Sequence, residues 1–86
     1  METVEEIRNV LRTSEENTLS AIELANRAAQ KSEMVQTELA GTLAGSLNPL
    51  SEEMTAHAEA ITNSLGEAVT RLVRLVDSVR NLNSSL

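Results

Sequence analysis

His57 is the single histidine of this 86-residue chain, and with thirteen carboxylates it makes up the set of side chains that could hold a metal or move a proton. A zinc centre needs several ligands converging on one point, commonly thiolates and imidazoles. Here there is no cysteine, and Glu53 is the only carboxylate a helical turn before His57. That spacing suits an i, i+4 side-chain pair on a helix surface, so no metal site is expected. The adjacent acids Glu5-Glu6, Glu15-Glu16 and Glu52-Glu53 fall near candidate helix starts, where negative charge is favoured by the helix dipole. With one aspartate, Asp77, the chain has no Asp-x-Asp-x-Asp-Gly calcium loop. Nine serines supply hydroxyls, but no Gly-x-Ser-x-Gly elbow surrounds any of them. Gly41-Thr42-Leu43-Ala44-Gly45-Ser46 lacks the lysine of a phosphate loop and reads as a helix end followed by a turn. These residues point to no catalysis, no cofactor and no metal.

Composition narrows the remaining classes. The chain has no Phe, Trp or Tyr, which removes the stacking platforms used for single-stranded nucleic acid. A net charge of −6 opposes binding along phosphate backbones, so no nucleic-acid partner is expected. No apolar run approaches the ~20 residues needed to cross a bilayer, so membrane insertion is not expected. The acidic start Met1-Glu2-Thr3-Val4-Glu5-Glu6 is unlike a secretory signal, and a cytoplasmic location is the expectation.

The elements that position these residues are helical. Met54, Ala58, Ile61, Leu65, Ala68, Leu72, Leu75, Val79, Leu82 and Leu86 recur at alternating steps of four and three, the mark of one apolar stripe along a helix. Asn48 is a good cap, Pro49 suits the first helical position, and Glu52 and Glu53 follow in the first turns. Arg71, Arg74 and Arg80 occupy the later turns, where positive charge is favoured. The first half carries a weaker seam: Val4, Ile7, Leu11, Ser14, Thr18, Ile22, Ala25, Ala29, Ser32, Val35, Leu39 and Leu43. Thr3 and Glu6 match a capping box, and Thr13-Ser14-Glu15-Glu16 offers a second start at which the first helix would kink. Gly45 is the expected left-handed residue closing the first helix.

The expected fold is all-α: an antiparallel two-helix hairpin forming one domain, residues 1–86. Its first helix covers about 3–44, its turn about 45–48 and its second helix about 49–83. Folding about Ser46-Leu47 brings Leu39 to Met54, Ser32 to Ile61, Ala25 to Ala68 and Leu11 to Leu82. Ala25 and Ala68 then mark the closest helix approach. Glu15 and Glu16 lie level with the arginines of the second helix and can pair with them. The rod has little interior, because each residue has one neighbouring helix to bury against. Val69, Val73 and Val76 form a second flank beside the expected seam, and Leu24 and Val35 are available on the first helix. With Leu72, Leu75 and Val79, these residues form the expected interface for pairing into a four-helix bundle, as a dimer or a hetero-complex.

In size, in two amphipathic helices joined at mid-chain, and in several segments, the chain resembles the small helical-hairpin proteins of the WXG100 (ESAT-6-like) superfamily. More closely, it is similar to short proteins of that shape encoded beside polymorphic toxins in actinobacteria. The segments are Val4-Glu5-Glu6-Ile7-Arg8, Leu39 with Leu43-Ala44-Gly45-Ser46 at the turn, and Ala68, Val69 and Val76 in a helix ending near Leu86. The resemblance implies pairing into four-helix bundles and a role in type VII secretion as substrate, chaperone or targeting partner. It also implies export by a route that uses no signal peptide. The Trp-x-Gly turn of that family is absent, as is its Tyr-x-x-x-Asp/Glu export signal. A relaxed form with a hydrophobic first residue matches Val73 and Asp77, which become the candidate export signal. Lacking both hallmarks also fits a cytosolic relative that is not exported.

Two functions follow. One is a non-enzymatic interaction module that pairs with itself, a sister hairpin, or a larger toxin or secretion-system protein. The other is a cytosolic homo-oligomeric coiled-coil protein with a structural or regulatory role.

Overall fold

A computed structural model describes residues 3–86. Met1 and Glu2, part of the acidic start, lie outside the described residues. The chain folds as α1 (Val4–Thr42) and α2 (Pro49–Ser85), an antiparallel two-helix hairpin measuring 64 × 19 × 16 Å. Its radius of gyration is 19.2 Å, against about 12 Å for a compact domain of this length. The molecule is a rod.

The ends of both helices follow from local chemistry. Thr3 accepts a hydrogen bond from the Glu6 amide at 3.1 Å, while the Thr3 amide donates to the Glu6 carboxylate at 3.2 Å, completing the expected capping box. Gly45 holds φ at 77°, the left-handed conformation that favours glycine. Asn48 caps α2 by accepting from the Leu50 amide at 3.0 Å, with Pro49 opening the helix. Ser46 braces the turn, accepting from the Asn48 amide at 3.2 Å and from the Ser51 hydroxyl at 2.7 Å.

α1 does not kink at Ser14. It runs unbroken through Thr13-Ser14-Glu15-Glu16, and the Thr13 hydroxyl turns back to donate to the Asn9 carbonyl at 3.1 Å. A hydroxyl turned back on its own helix does not compete for a new cap.

Two side-chain bonds fix the register. Ser32 meets Thr62 at 2.8 Å. Thr62 already donates to the Ala58 carbonyl at 3.0 Å, so Ser32 is the donor between them. Near the open end, Arg80 pairs with Glu15. The expected alignment of Ser32 with Ile61 is therefore displaced by one residue, to Thr62.

The larger difference is rotational. The residues of α2 that turn toward α1 are Ser51, Thr55, Ala58, Thr62, Leu65, Val69, Leu72, Val76, Val79 and Asn83, again at steps of four and three. Val76, expected on the outer flank, is 3% exposed, and with Ala58 at 7% it forms the whole fully buried core of the described residues. Met54, Ile61, Leu75 and Leu82, expected inside, stay exposed. On α1 the inner residues include Ile7, Leu11, Ser14, Thr18, Ala25, Ser32, Leu39 and Leu43, as expected. Gln36 takes the place foreseen for Val35, because a 3.6-residue helix drifts behind a 3.5-residue seam and takes one additional four-residue step.

Polar residues are admitted to this seam because most of their bonds are made. Thr55 donates to the Ser51 carbonyl at 2.9 Å, and Thr62 is bonded twice. Asn83 is different: its side-chain oxygen is buried without a partner. An unsatisfied buried acceptor costs about 1–3 kcal/mol. Asn83→Val is therefore expected to raise the melting temperature, by about 4–8 °C per kcal/mol recovered, measured by circular dichroism. Ala25→Leu, which overfills a half-buried seam position, is expected to destabilise the hairpin by about 1–3 kcal/mol in urea unfolding.

Candidate interaction surface

Seven-residue steps along each helix sort its remaining positions onto two edges of the hairpin. On α2, Met54, Ile61, Ala68, Leu75 and Leu82 form one edge, and all are apolar. The corresponding edge of α1 carries Val10, Asn17, Leu24, Lys31 and Glu38. These two edges flank the same groove, whose floor near the turn includes Ala28, Val35, Leu39, Met54, Ile61 and Leu65, with Lys31 and His57 at its margin. Ile61 is 55% exposed, Leu75 49% and Leu24 65%.

The opposite face is assembled from Arg8, Glu15, Ile22 and Ala29 of α1 with Glu52, Glu59, Gly66, Val73 and Arg80 of α2. The pairing of Glu15 with Arg80 across this face confirms the assignment of edges. One face is thus a long apolar strip. The other is charged, with a smaller apolar centre at Ile22 and Val73.

The residues expected at a partner interface divide among three environments. Val69, Leu72 and Val79 are half-buried and Val76 fully buried, all on the side of α2 that packs on α1. Val76 has no surface left to offer a partner. Leu75, Leu24 and Val35 are exposed on the apolar face. Val73 is exposed on the charged face, with Asp77 one turn further on, also exposed. Met54, Ile61 and Leu82, which read as core in the sequence, are the residues of the apolar face that the interface expectation omitted. Two apolar stripes one position apart look alike by periodicity. The signal that separates them is the small, hydroxyl-bearing seam of α1, whose Ser32 matches Thr62 better than Ile61.

The candidate chemical residues are solvated. His57 faces Glu53 at 3.6 Å, the expected i, i+4 pair, and both are largely exposed. Arg27 pairs with Glu23 at 2.8 Å in the same way. Among the described residues no group of three or more His, Asp or Glu side chains is placed to hold a metal ion. Nor is any helix of the described residues long and apolar enough to cross a membrane.

No protein-family model matches the sequence, and comparison with curated proteins and with solved structures finds no significant match.

The assignment of inner and outer stripes is directly measurable. Val76→Ala is expected to cost about 1–3 kcal/mol of hairpin stability. Ile61→Ala, with more than half its surface already in water, should cost less than half as much in the isolated hairpin. Equal losses in chemical denaturation would refute the rotational assignment.

Proposed function

We propose that this protein is a non-enzymatic interaction module that works by docking its apolar face on another helical protein. The observation that carries the reading is the choice of stripe. The hairpin turns Ser51, Thr55, Thr62, Val69 and Val76 toward α1 and leaves the larger apolar side chains Met54, Ile61, Leu75 and Leu82 exposed, with Ala68 half-buried among them. The solvent-accessible surface supports it. The chain exposes 6503 Å², where a compact monomer of its mass exposes about 5,000 Å². The excess, about 1,500 Å², is more than the roughly 800 Å² that one partner buries in a standard protein–protein interface.

Four-helix packing would cover such a strip, since each exposed residue gains a second neighbouring helix. This is the mode of action implied by the WXG100-like resemblance: a hairpin that pairs with a sister hairpin or a larger toxin or secretion-system protein and accompanies it. In that setting exposed Val73 and Asp77 would be read as a short export element, from the face opposite the docking strip. A homo-oligomeric coiled-coil role is favoured by one feature only, the unbroken seven-residue spacing from Met54 to Leu82.

Ile61→Asp combined with Leu75→Asp tests the reading. Both positions are exposed in the hairpin, so helix content and melting temperature should stay near those of the parent. Gel filtration and chemical crosslinking in cells that express the protein natively should show the parent in an assembly larger than the 9.3 kDa chain. The double variant should run as the free hairpin. A parent that is itself a folded, unassociated hairpin in those cells would sink the proposal.

A further inference from the structure

The apolar edge of α2 reads nearly the same from either end. Two large side chains, Met54 and Ile61, precede Ala68, and two more, Leu75 and Leu82, follow it, all at seven-residue steps. The edge of α1 is centred at almost the same height. The Ser32–Thr62 bond sets Ala68 level with Asn26, and Leu24, the middle residue of the α1 edge, stands about 3 Å along the helix from that point. One twofold axis can therefore serve both edges. Area is sufficient as well. The strip runs about 42 Å along α2 at 1.5 Å per residue, and the rod is 19 Å across, so a copy laid over it covers about 800 Å² of each chain, one partner's share of a standard interface.

Resting on the reading of this face as a docking surface, we infer that its occupant is a second copy of the chain, laid face to face and reversed in direction about a twofold axis at Ala68. α2 then lies on α2 of the copy. Met54 meets Leu82 of the second copy, Ile61 meets its Leu75, and each contact occurs twice, as a twofold interface requires. The two Ala68 side chains sit at the axis, where their small size lets the helices close. The other twofold arrangement has its axis along the rod and lays α2 on α1 of the copy. Ile61 then falls against Lys31, Met54 against Glu38 and Leu75 against Asn17, which strands polar groups on apolar ones. The reversed arrangement matches apolar with apolar.

Charge supports the same axis. Arg71, one turn beyond Ala68, and Lys31 have no carboxylate within ion-pair distance among the described residues. The axis brings Arg71 within about 3 Å of the level of Glu67 in the second copy. Glu23 holds Arg27 of its own helix at 2.8 Å. Across the axis it falls level with Ala29 of the copy, between Arg27 and Lys31, so its other oxygen is available to the unpaired Lys31. At the strip's end Glu38 falls between Arg12 and Glu16 of the copy, where the two charges offset.

The test uses the purified whole chain. Sedimentation equilibrium at micromolar concentration should show a dimer of the 9.3 kDa chain, and Ile61→Asp should leave a helical monomer. Glu67→Arg and Arg71→Glu change exposed positions, and each alone should dimerise about fivefold more weakly, the effect of two exposed pairs lost. Mixed in equal amounts, the two variants should recover the parent's affinity, because each supplies the charge the other lacks. The chain has no cysteine, so introduced thiols report the contacts. Ale-free oxidation is mild: under air, Ala68→Cys should link to itself, whereas Met54→Cys should link to Leu82→Cys and not to itself. A parent that is monomeric when pure overturns the second copy. Its presence in a larger assembly in native cells would then give the face to a different helical protein, and its absence there would remove the docking face as well. A pure dimer that Ile61→Asp leaves intact overturns the inference. So do charge-reversed chains that pair with themselves as well as with each other, and Met54→Cys linking to itself as readily as Ala68→Cys.

Discussion

A pair of helices can bury only one stripe per helix, and everything else in this molecule follows from that limit. In a globular domain a residue flanking the primary seam finds a third element to pack on. Here it finds water. α2 carries apolar side chains across an arc wider than one seam, so some of them must remain outside whichever way it rotates. The rotation adopted is the one that lets α1, with Ser14, Thr18, Ala25 and Ser32 along its inner face, approach closely. Small residues on one helix accept β-branched residues on the other, and Val69, Val76, Thr55 and Thr62 fit that description better than Met54, Ile61 and Leu82.

The polar half of the seam has a second consequence. From Ser51 to Thr62 the inner residues of α2 are Ser, Thr and Ala, and the inner residues of α1 level with them are Ser32, Gln36, Leu39 and Leu43. Each threonine there bonds its own helix, and Thr62 also receives Ser32. Such contacts fix alignment while burying little apolar surface, and a hydrogen bond adds only about 1 kcal/mol net. The turn-proximal half is thus weakly held by its own seam. The groove beside Val35, Met54 and Ile61 opens over this same half. The region that gains most from a covering helix is the one least able to stabilise itself.

Much of this was legible in the residues. The hairpin, the Thr3–Glu6 box, the Asn48-Pro49 start, the left-handed Gly45 and the pairing of Arg80 with Glu15 all follow from local rules that tertiary packing had no reason to override. The facing stripe was not legible. Periodicity alone ranks Met54, Ile61, Leu75 and Leu82 above Thr55, Thr62, Val69 and Val76, because hydropathy scores a threonine as polar. A threonine whose hydroxyl is satisfied by its own helix behaves in a seam much like valine. Reading that requires knowing what lies opposite, which the spacing within one helix does not contain. For the same reason Val76, read as an outer flank, is buried in the hairpin, while Ile61, read as seam, is exposed.

The two faces also differ in what they exclude. Glu15, Glu52 and Glu59 sit on the charged face, with Glu16, Glu23, Glu53 and Glu67 on the outward surfaces of the two helices. Solvated carboxylates there resist a second helical neighbour, since closing over them would strip their water without return. An apolar strip on both faces would let hairpins stack without end, because open-ended contacts build filaments. In the proposed docking role, a strip confined to one face favours one neighbour per hairpin.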